Sequence, residues 1–262
     1  VRRGLTLAST FAIALMASVA GGQPPAPATG YLGGREPDTV AVIPPAPAPG
    51  SPRDAADREI FKATRSLEGT PRWALAQNDV VLTIPAILKD FSCAAGVSLD
   101  EQNASKLVAI LRHMTPDLVA AYSAPKDLYK RPRPYMRDAG PICTPRSDAL
   151  DRSFDYPSGH ATFAWAYGMI LSEVIPDRAG PILQRARAFG ESRAVCGVHS
   201  ASAVSEARTA AAALVAALDG SQAFRTDLET ARAQISEAKS KAPPPSAPAC
   251  QAEAALTSRT PW

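Results

Sequence analysis

An excess of charge of one sign, closely spaced cysteine pairs, late apolar runs and strand periodicity are all missing from this sequence. Each absence closes off a class of function. Lys and Arg number 28 against 25 Asp and Glu, a formal net charge of +3 over 262 residues. So small an excess argues against wholesale nucleic-acid binding and leaves room for a local basic pocket. The four cysteines, Cys93, Cys143, Cys196 and Cys250, form no C-x-x-C pair, which argues against a zinc or redox motif. Beyond the first 20 residues no run is both long and apolar enough to cross a bilayer. No segment keeps strand alternation for long, so a sheet-based fold is not expected. Histidine is down to three residues, His113, His160 and His199. No carboxylate–histidine cluster has metal-ligand spacing, so neither a metal nor another cofactor is expected.

What is present begins with an export-type leader. Val1-Arg2-Arg3 is a short basic start, Leu5–Ala17 an apolar run, and Ser18-Val19-Ala20 offers small residues where a signal peptidase cuts. The run falls short of the roughly 18–20 residues a membrane anchor needs. Residues 1–20 therefore read as a signal peptide, and the mature protein as soluble and periplasmic or secreted, a compartment that suits four cysteines. Four cysteines allow three connectivities, and their spacing does not choose among them. Residues 21–50 and 241–262 are rich in Pro and Ala without periodicity, which predicts a flexible linker and a tail.

Between them, residues 51–240 carry helix signals throughout. Ser51-Pro52-Arg53-Asp54 is an N-cap, a first-turn proline and a capping-box acid, opening a helix to about Leu67. Thr70-Pro71 starts another, and Val80–Phe91 with Pro85 inside predicts a kinked or broken one. Ser98–Glu101 repeats the capping-box pattern ahead of a helix to about His113, with Leu107, Ile110, Leu111 and Met114 on one face. His113 lies beside that stripe and reads as a surface or capping residue. The Asn103-Ala104-Ser105 sequon reads as chance. Thr115-Pro116 opens a helix running towards Tyr122. Residues 138–154 are polar and irregular. A helix from Pro181 to about Val195 is interrupted by Cys196-Gly197; an alanine-rich helix then runs from His199 to Leu218. Gly220 ends that one, and Ser221 caps the last, which places Phe224, Leu228, Ala231 and Ile235 on one side. The fold class is all-α, a single helical bundle. Its apolar faces fit core packing and a homodimer interface equally.

The chemistry gathers around Asp155-Tyr156-Pro157-Ser158-Gly159-His160. The apolar run Ala161–Val174 that follows reads as a buried helix, with Ser158 as its N-cap. Free N–H groups at a helix start form an anion site, and His160 in the first turn can give or take a proton there. Upstream, Lys126–Arg137 is basic, and Pro132 and Pro134 hold Arg133 on a fixed extended path. Taken singly, Arg193 reads as one more helix-surface base and Ser158 as a mere cap. Taken together, the three blocks Lys126-x6-Arg133-Pro134, Pro157-Ser158-Gly159-His160 and Ser192-Arg193-x5-His199 resemble the signature of the type 2 phosphatidic acid phosphatase superfamily, which includes the vanadium haloperoxidases. Within it the chain looks most like the bacterial class A non-specific acid phosphatases, down to Ala124-Pro125-Lys126, Cys143 and Arg193–His199.

The resemblance implies a helical bundle that hydrolyses phosphomonoesters. It implies His199 as the nucleophile, forming a phosphohistidine, and His160 as the acid that protonates the leaving alkoxide. Lys126, Arg133, Ser158, Gly159 and Arg193 would hold the phosphoryl oxygens, and small phosphomonoesters or inorganic phosphate would be the partners. Guanidinium forks and helix-start N–H groups suit such a cradle. One departure stands out. Where the family carries Asp, four residues after the nucleophile, this chain has Ala203. Alanine cannot accept the imidazole N–H. Spoiling an orienting Asp costs Ser-His-Asp hydrolases about 10⁴-fold in turnover, and losing the outer partner of a metal-bound histidine costs about 10–100-fold. Ala203 thus predicts a slowed enzyme. The alternative is a relative that keeps the phosphate cradle without turnover, or, less favoured, a haloperoxidase in which His199 binds vanadium. Ser202, Glu206 or a water are the candidate substitutes for the missing acceptor, and Ala203→Asp would be expected to raise turnover. A Cys143–Cys196 disulfide is expected because it would tie the loop before Pro157–His160 to the segment before His199.

Overall fold

The computed structural model describes residues 29–262, and the signal-peptide reading lies outside them. The described residues form twelve α-helices and three short 3-10 turns, with no strand. In chain order the helices are α1 (Thr39–Val42), α2 (Pro52–Thr64), α3 (Pro71–Asn78), α4 (Ile84–Ala95), α5 (Ser105–His113) and α6 (Thr115–Tyr129). They continue with α7 (Asp148–Arg152), α8 (Gly159–Val174), α9 (Ala179–Val195), α10 (Ala201–Asp219), α11 (Gln222–Lys241) and α12 (Ala247–Thr257).

The bundle is wound around α8, which packs along α9 and α10, with α6 and α11 also against it. Ala164, Ala166, Tyr167, Ile170 and Leu171 of α8 are wholly buried, as a helix apolar on nearly every face should be. Its approach to α9 is close because Gly168 has no side chain: a Cβ there would lie 2.5 Å from that of Ala186. Contrary to the hydropathy reading above, α10 is itself long and apolar enough to span a bilayer. Here it is a core helix, with Ala207, Ala211, Leu214, Val215 and Leu218 buried.

Most predicted starts are where the caps placed them. Ser51, Thr70, Ser158 and Ser221 each accept a backbone N–H from the first turn of α2, α3, α8 and α11. Four predictions shift. Pro85 sits in the first turn of α4, so it starts that helix at Ile84 and does not kink it. Asp100 turns its carboxylate onto the amides of Gln102 and Asn103, and this local turn delays α5 to Ser105. Thr115 donates its hydroxyl to Leu111 O and caps nothing, and α6 runs through Pro125 to Tyr129. In the loop after α6, residues 148–152 form the extra helix α7 behind the Ser147 cap.

The two Pro/Ala-rich ends are not slack where they are described. Tyr31 and Leu32 donate their amides to Asp117 at 2.8 and 3.2 Å, and Tyr31 stacks on His113 at 3.9 Å between ring centroids. That contact accounts for His113, which stays at the end of α5 away from the site. At the other end a Cys93–Cys250 disulfide fastens α12 to α4. Thr257 and Thr260 bond with Gln184, Arg187 and Glu191 of α9. Scattered single anchors of this kind leave no periodic trace in a sequence. The second disulfide is the predicted Cys143–Cys196.

Candidate active site

The start of α8, the end of α6, the α9–α10 junction and the loop before α4 surround one cavity of about 570 Å³. Lys126, Arg133, Gly159, His160 and His199 all line it. Ser158 and Arg193 are buried behind that wall, at 0% and 3% exposure. The Ser158 hydroxyl is taken up by the Ala161 amide at 3.3 Å, so its position in this structure is that of a helix cap.

Each group is aimed by its local structure. Gly197 has φ +78°, a left-handed turn that ends α9 and throws the chain back towards the cavity. A side chain there would also strike Arg65, whose guanidinium closes the α9 C-terminus by donating to Ala194 O at 3.1 Å and Val195 O at 2.6 Å. Beyond the turn, His199 is buried. Its Nδ1 faces the Asp155 carbonyl at 2.7 Å and the Asp155 carboxylate at 3.1 Å. Its Nε2 faces Arg133 Nη1 at 3.1 Å. A guanidinium can only donate, so Nε2 carries the lone pair and Nδ1 the proton. The chemistry of the neighbours thereby fixes the tautomer.

Arg133 is held by the carbonyls of Leu150, Ser153 and Val198 at 2.6–3.0 Å. Lys126 donates to Phe154 O. His160 is held from the loop before α4: its Nε2 donates to Val80 O at 3.1 Å. Next to Val80, the carboxylate of Asp79 is pinned by Arg185 at 2.6 and 3.2 Å and by the Ser192 hydroxyl at 2.6 Å. Ser192 of the signature therefore braces the loop that orients His160. Arg193 differs from the rest. Its Nε and Nη1 are buried with no hydrogen-bond partner, a costly state for a guanidinium unless an anion completes it.

The field of the cavity is positive throughout. Burial, then Arg193, Arg133 and Lys126, hold His160 down at about 3, against the Val80 bond that favours its charged form. Burial and the same three cations keep His199 neutral, well below its ordinary value. Burial and Arg133 bring Lys126 down to about 8, opposed by Asp155 and Asp127. Burial and Arg133 bring Arg193 to about 10. These groups repel one another in the absence of an oxyanion, and a bound oxyanion would relieve all of them.

Of the three substitutes considered for the missing acceptor, neither side chain serves. Glu206 pairs with Arg53 at 2.7 Å, and the Ser202 hydroxyl bonds Asp57 and Arg131 at 2.5 and 2.8 Å. Asp155 stands at the ring instead. It belongs to the stretch the sequence singles out, and no spacing rule marked it. The signal was available only as an acid two residues before Pro157. Arg131, Asp54 and Asp57 behind it were likewise unmarked as a group. The apolar wall of Leu82, Ile84, Leu118, Val119, Tyr122 and Phe163 comes from three separate helices and the α3–α4 loop.

Comparison with known proteins places the chain among relatives. The profile of the PAP2 superfamily matches residues 107–223, a span holding all seven predicted site residues. The chain is 38% identical over 217 residues to an acid phosphatase of Zymomonas mobilis subsp. mobilis, covering 82% of each chain. It is 33% identical over 205 residues to a non-specific acid phosphatase of Providencia stuartii, covering 77% of this chain and 82% of the relative. A non-specific acid phosphatase of Salmonella typhimurium is 28% identical over 197 residues, or 74% of this chain and 79% of the relative. With the three motif blocks gathered on one cavity and relatives matched along most of their length, the chain belongs to the PAP2 superfamily.

Proposed function

We propose that this protein is an acid phosphatase that hydrolyses phosphomonoesters through a phosphohistidine on His199. The observation that carries the proposal is that the rings of His199 and His160 line the same cationic cavity, with the Nε2 lone pair of His199 held by Arg133. Binding alone would need the cations and neither ring. The phosphoryl oxygens lie among Lys126, Arg133, Arg193 and the free amides at the start of α8, and replace the Arg133–Nε2 contact. Nε2 then attacks phosphorus as the ester P–O bond breaks, and His160 gives its proton to the departing oxygen. His160 carries that proton on Nδ1, because Nε2 already donates to Val80. Neutral His160 next takes a proton from water as that water attacks phosphorus. The P–N bond breaks, phosphate leaves, and both rings return to their starting state.

Acid pH fits this cycle. His160 must be charged to act, and burial, helped by the surrounding cations, keeps it neutral in the empty site. A phosphoryl dianion reverses that field, so substrate and proton enter together. The leaving group faces the apolar wall, which suits aryl and alkyl phosphates. The two disulfides support a periplasmic or secreted location.

The test is hydrolysis of a chromogenic aryl phosphate by the purified protein with chelator present, alongside His199→Ala. Turnover lost in the variant, with wild-type enzyme quenched in alkaline denaturant carrying phosphate on the His199 peptide, is the expected result. Phosphate binding without turnover would instead support the cradle-only reading.

A further inference from the structure

We infer that Asp155 is the positioning residue for His199, standing in for the acid that Ala203 lacks; this rests on His199 being the nucleophile proposed above. Asp155 meets the ring twice. Its backbone carbonyl takes the Nδ1 proton at 2.7 Å and its carboxylate lies at 3.1 Å from the same nitrogen. The two contacts do different work. The carbonyl alone is enough to hold the tautomer. The carboxylate answers the positive charge that spreads over the ring as Nε2 gives its lone pair to phosphorus and the ester oxygen leaves.

The side chain is anchored for that purpose. Asp155 is 1% exposed. Its carboxylate accepts the Ser200 amide at 3.0 Å and the Ser200 hydroxyl at 2.6 Å, with Arg131 Nη1 at 3.3 Å. Its amide donates to Arg131 O at 2.8 Å. Arg131 is gripped from behind by Asp54 at 3.1 Å and Asp57 at 2.9 Å. Three carboxylates on one buried guanidinium form a chain from α2 to the nucleophile. Burial raises the Asp155 carboxyl above its ordinary value, against the opposing pull of Arg131, the two Ser200 bonds and Arg133.

Ala203, where the family resemblance puts the acid, is fully buried among Ile43, Tyr156 and Ala210. Its carbonyl accepts the Ser158 amide at 3.0 Å. That site now serves packing and leaves the electrostatic role to Asp155. The loss of the usual acid therefore does not of itself imply a slow enzyme.

The experiment combines one spectrum and one variant. With three histidines in the chain, ¹⁵N-histidine NMR of the whole protein resolves each ring. At neutral pH one buried ring should be the Nδ1–H tautomer and lose its signal in His199→Ala. Asp155→Asn keeps the backbone carbonyl, so the same tautomer should persist. Its kcat should fall about 100-fold, within the range set by orienting partners of other catalytic and metal-bound histidines, with phosphate inhibition nearly unchanged. A merely structural Asp155 would weaken phosphate binding and thermal stability along with kcat. The inference is overturned if wild-type His199 is the Nε2–H tautomer, or if folded Asp155→Asn keeps wild-type kcat. Should Asp155→Asn not fold, Ser200→Ala, which frees the carboxylate from its 2.6 Å hydroxyl bond and leaves the carbonyl in place, should lower kcat with phosphate inhibition kept, and an unchanged kcat overturns the inference. If the wild type hydrolyses no phosphomonoester, the proposed function fails, and the spectrum separately reports whether Asp155 holds the ring.

Discussion

Acidification should weaken the empty protein through His160, and an oxyanion should restore it. In the unfolded chain a histidine titrates near 6.5, whereas in the fold His160 stays neutral down to about 3. As the pH drops below 6.5 the unfolded state takes up a proton that the native state refuses. Stability therefore falls across that window, from 6.5 towards 3, and is fully present above it. At pH 4.5 the unfolded group is protonated and the native one is not. Two pH units at about 1.36 kcal/mol each give a loss of about 3 kcal/mol, or about 5–10 °C in Tm for a domain of this size. Other groups shift too. His199 adds a loss of the same sign, and carboxyls raised by burial, such as Asp90, Asp117 and Glu173, add gains on acidification.

His160→Asn separates these contributions. Asn can still donate to Val80 O and cannot titrate, so everything else is shared with the wild type. Urea denaturation of both proteins at pH 7 and pH 4.5 should show wild type losing about 3 kcal/mol more than the variant on acidification. Sulfate, a dianion at both pH values, should recover most of that difference by favouring charged His160. If His160→Asn loses as much stability as the wild type between the two pH values, the histidine titrates normally in the fold. The coupling of proton to substrate would then fall with it.

The two disulfides should separate stability from catalysis. Cys93→Ser with Cys250→Ser opens a 157-residue separation and should cost about 3–5 kcal/mol in denaturation while the kcat of the folded fraction is kept, because α12 lies away from the cavity. Cys143→Ser with Cys196→Ser should lower kcat as well, since Cys143 braces the turn that delivers His199. Gly197→Ala combines a left-handed φ with a Cβ 2.6 Å from Arg65 and should cost at least about 1–3 kcal/mol in a thermal melt. Ala203→Asp should not raise turnover. It buries a carboxyl beside Ile43 and Tyr156, and an activity assay paired with a melt should find kcat unchanged or lower and stability down by about 2 kcal/mol or more.

How far this molecule can be read from its residues depends on whether the informative neighbours are close in sequence. Caps and helix faces are set within a turn or two, so Ser158 before α8 and the Phe224–Ile235 face of α11 were legible. The signature blocks were legible for a related reason: each fixes two or more side chains on one rigid element. What escaped the reading is held by single contacts across long separations, such as Asp117 with Tyr31, Cys93 with Cys250 and Asp79 with Ser192. Ala203 is the instructive case. A rule of fixed spacing asks which residue stands one helical turn beyond the nucleophile, because that is where helix geometry puts a side chain beside the ring. Imidazole asks only for an acceptor near Nδ1, and the chain before Pro157 passes there too. Either segment can supply it once both are folded against the α9–α10 junction, and here Asp155 does. Reading the absence of an acid at one position as the absence of its function confuses an address with an interaction.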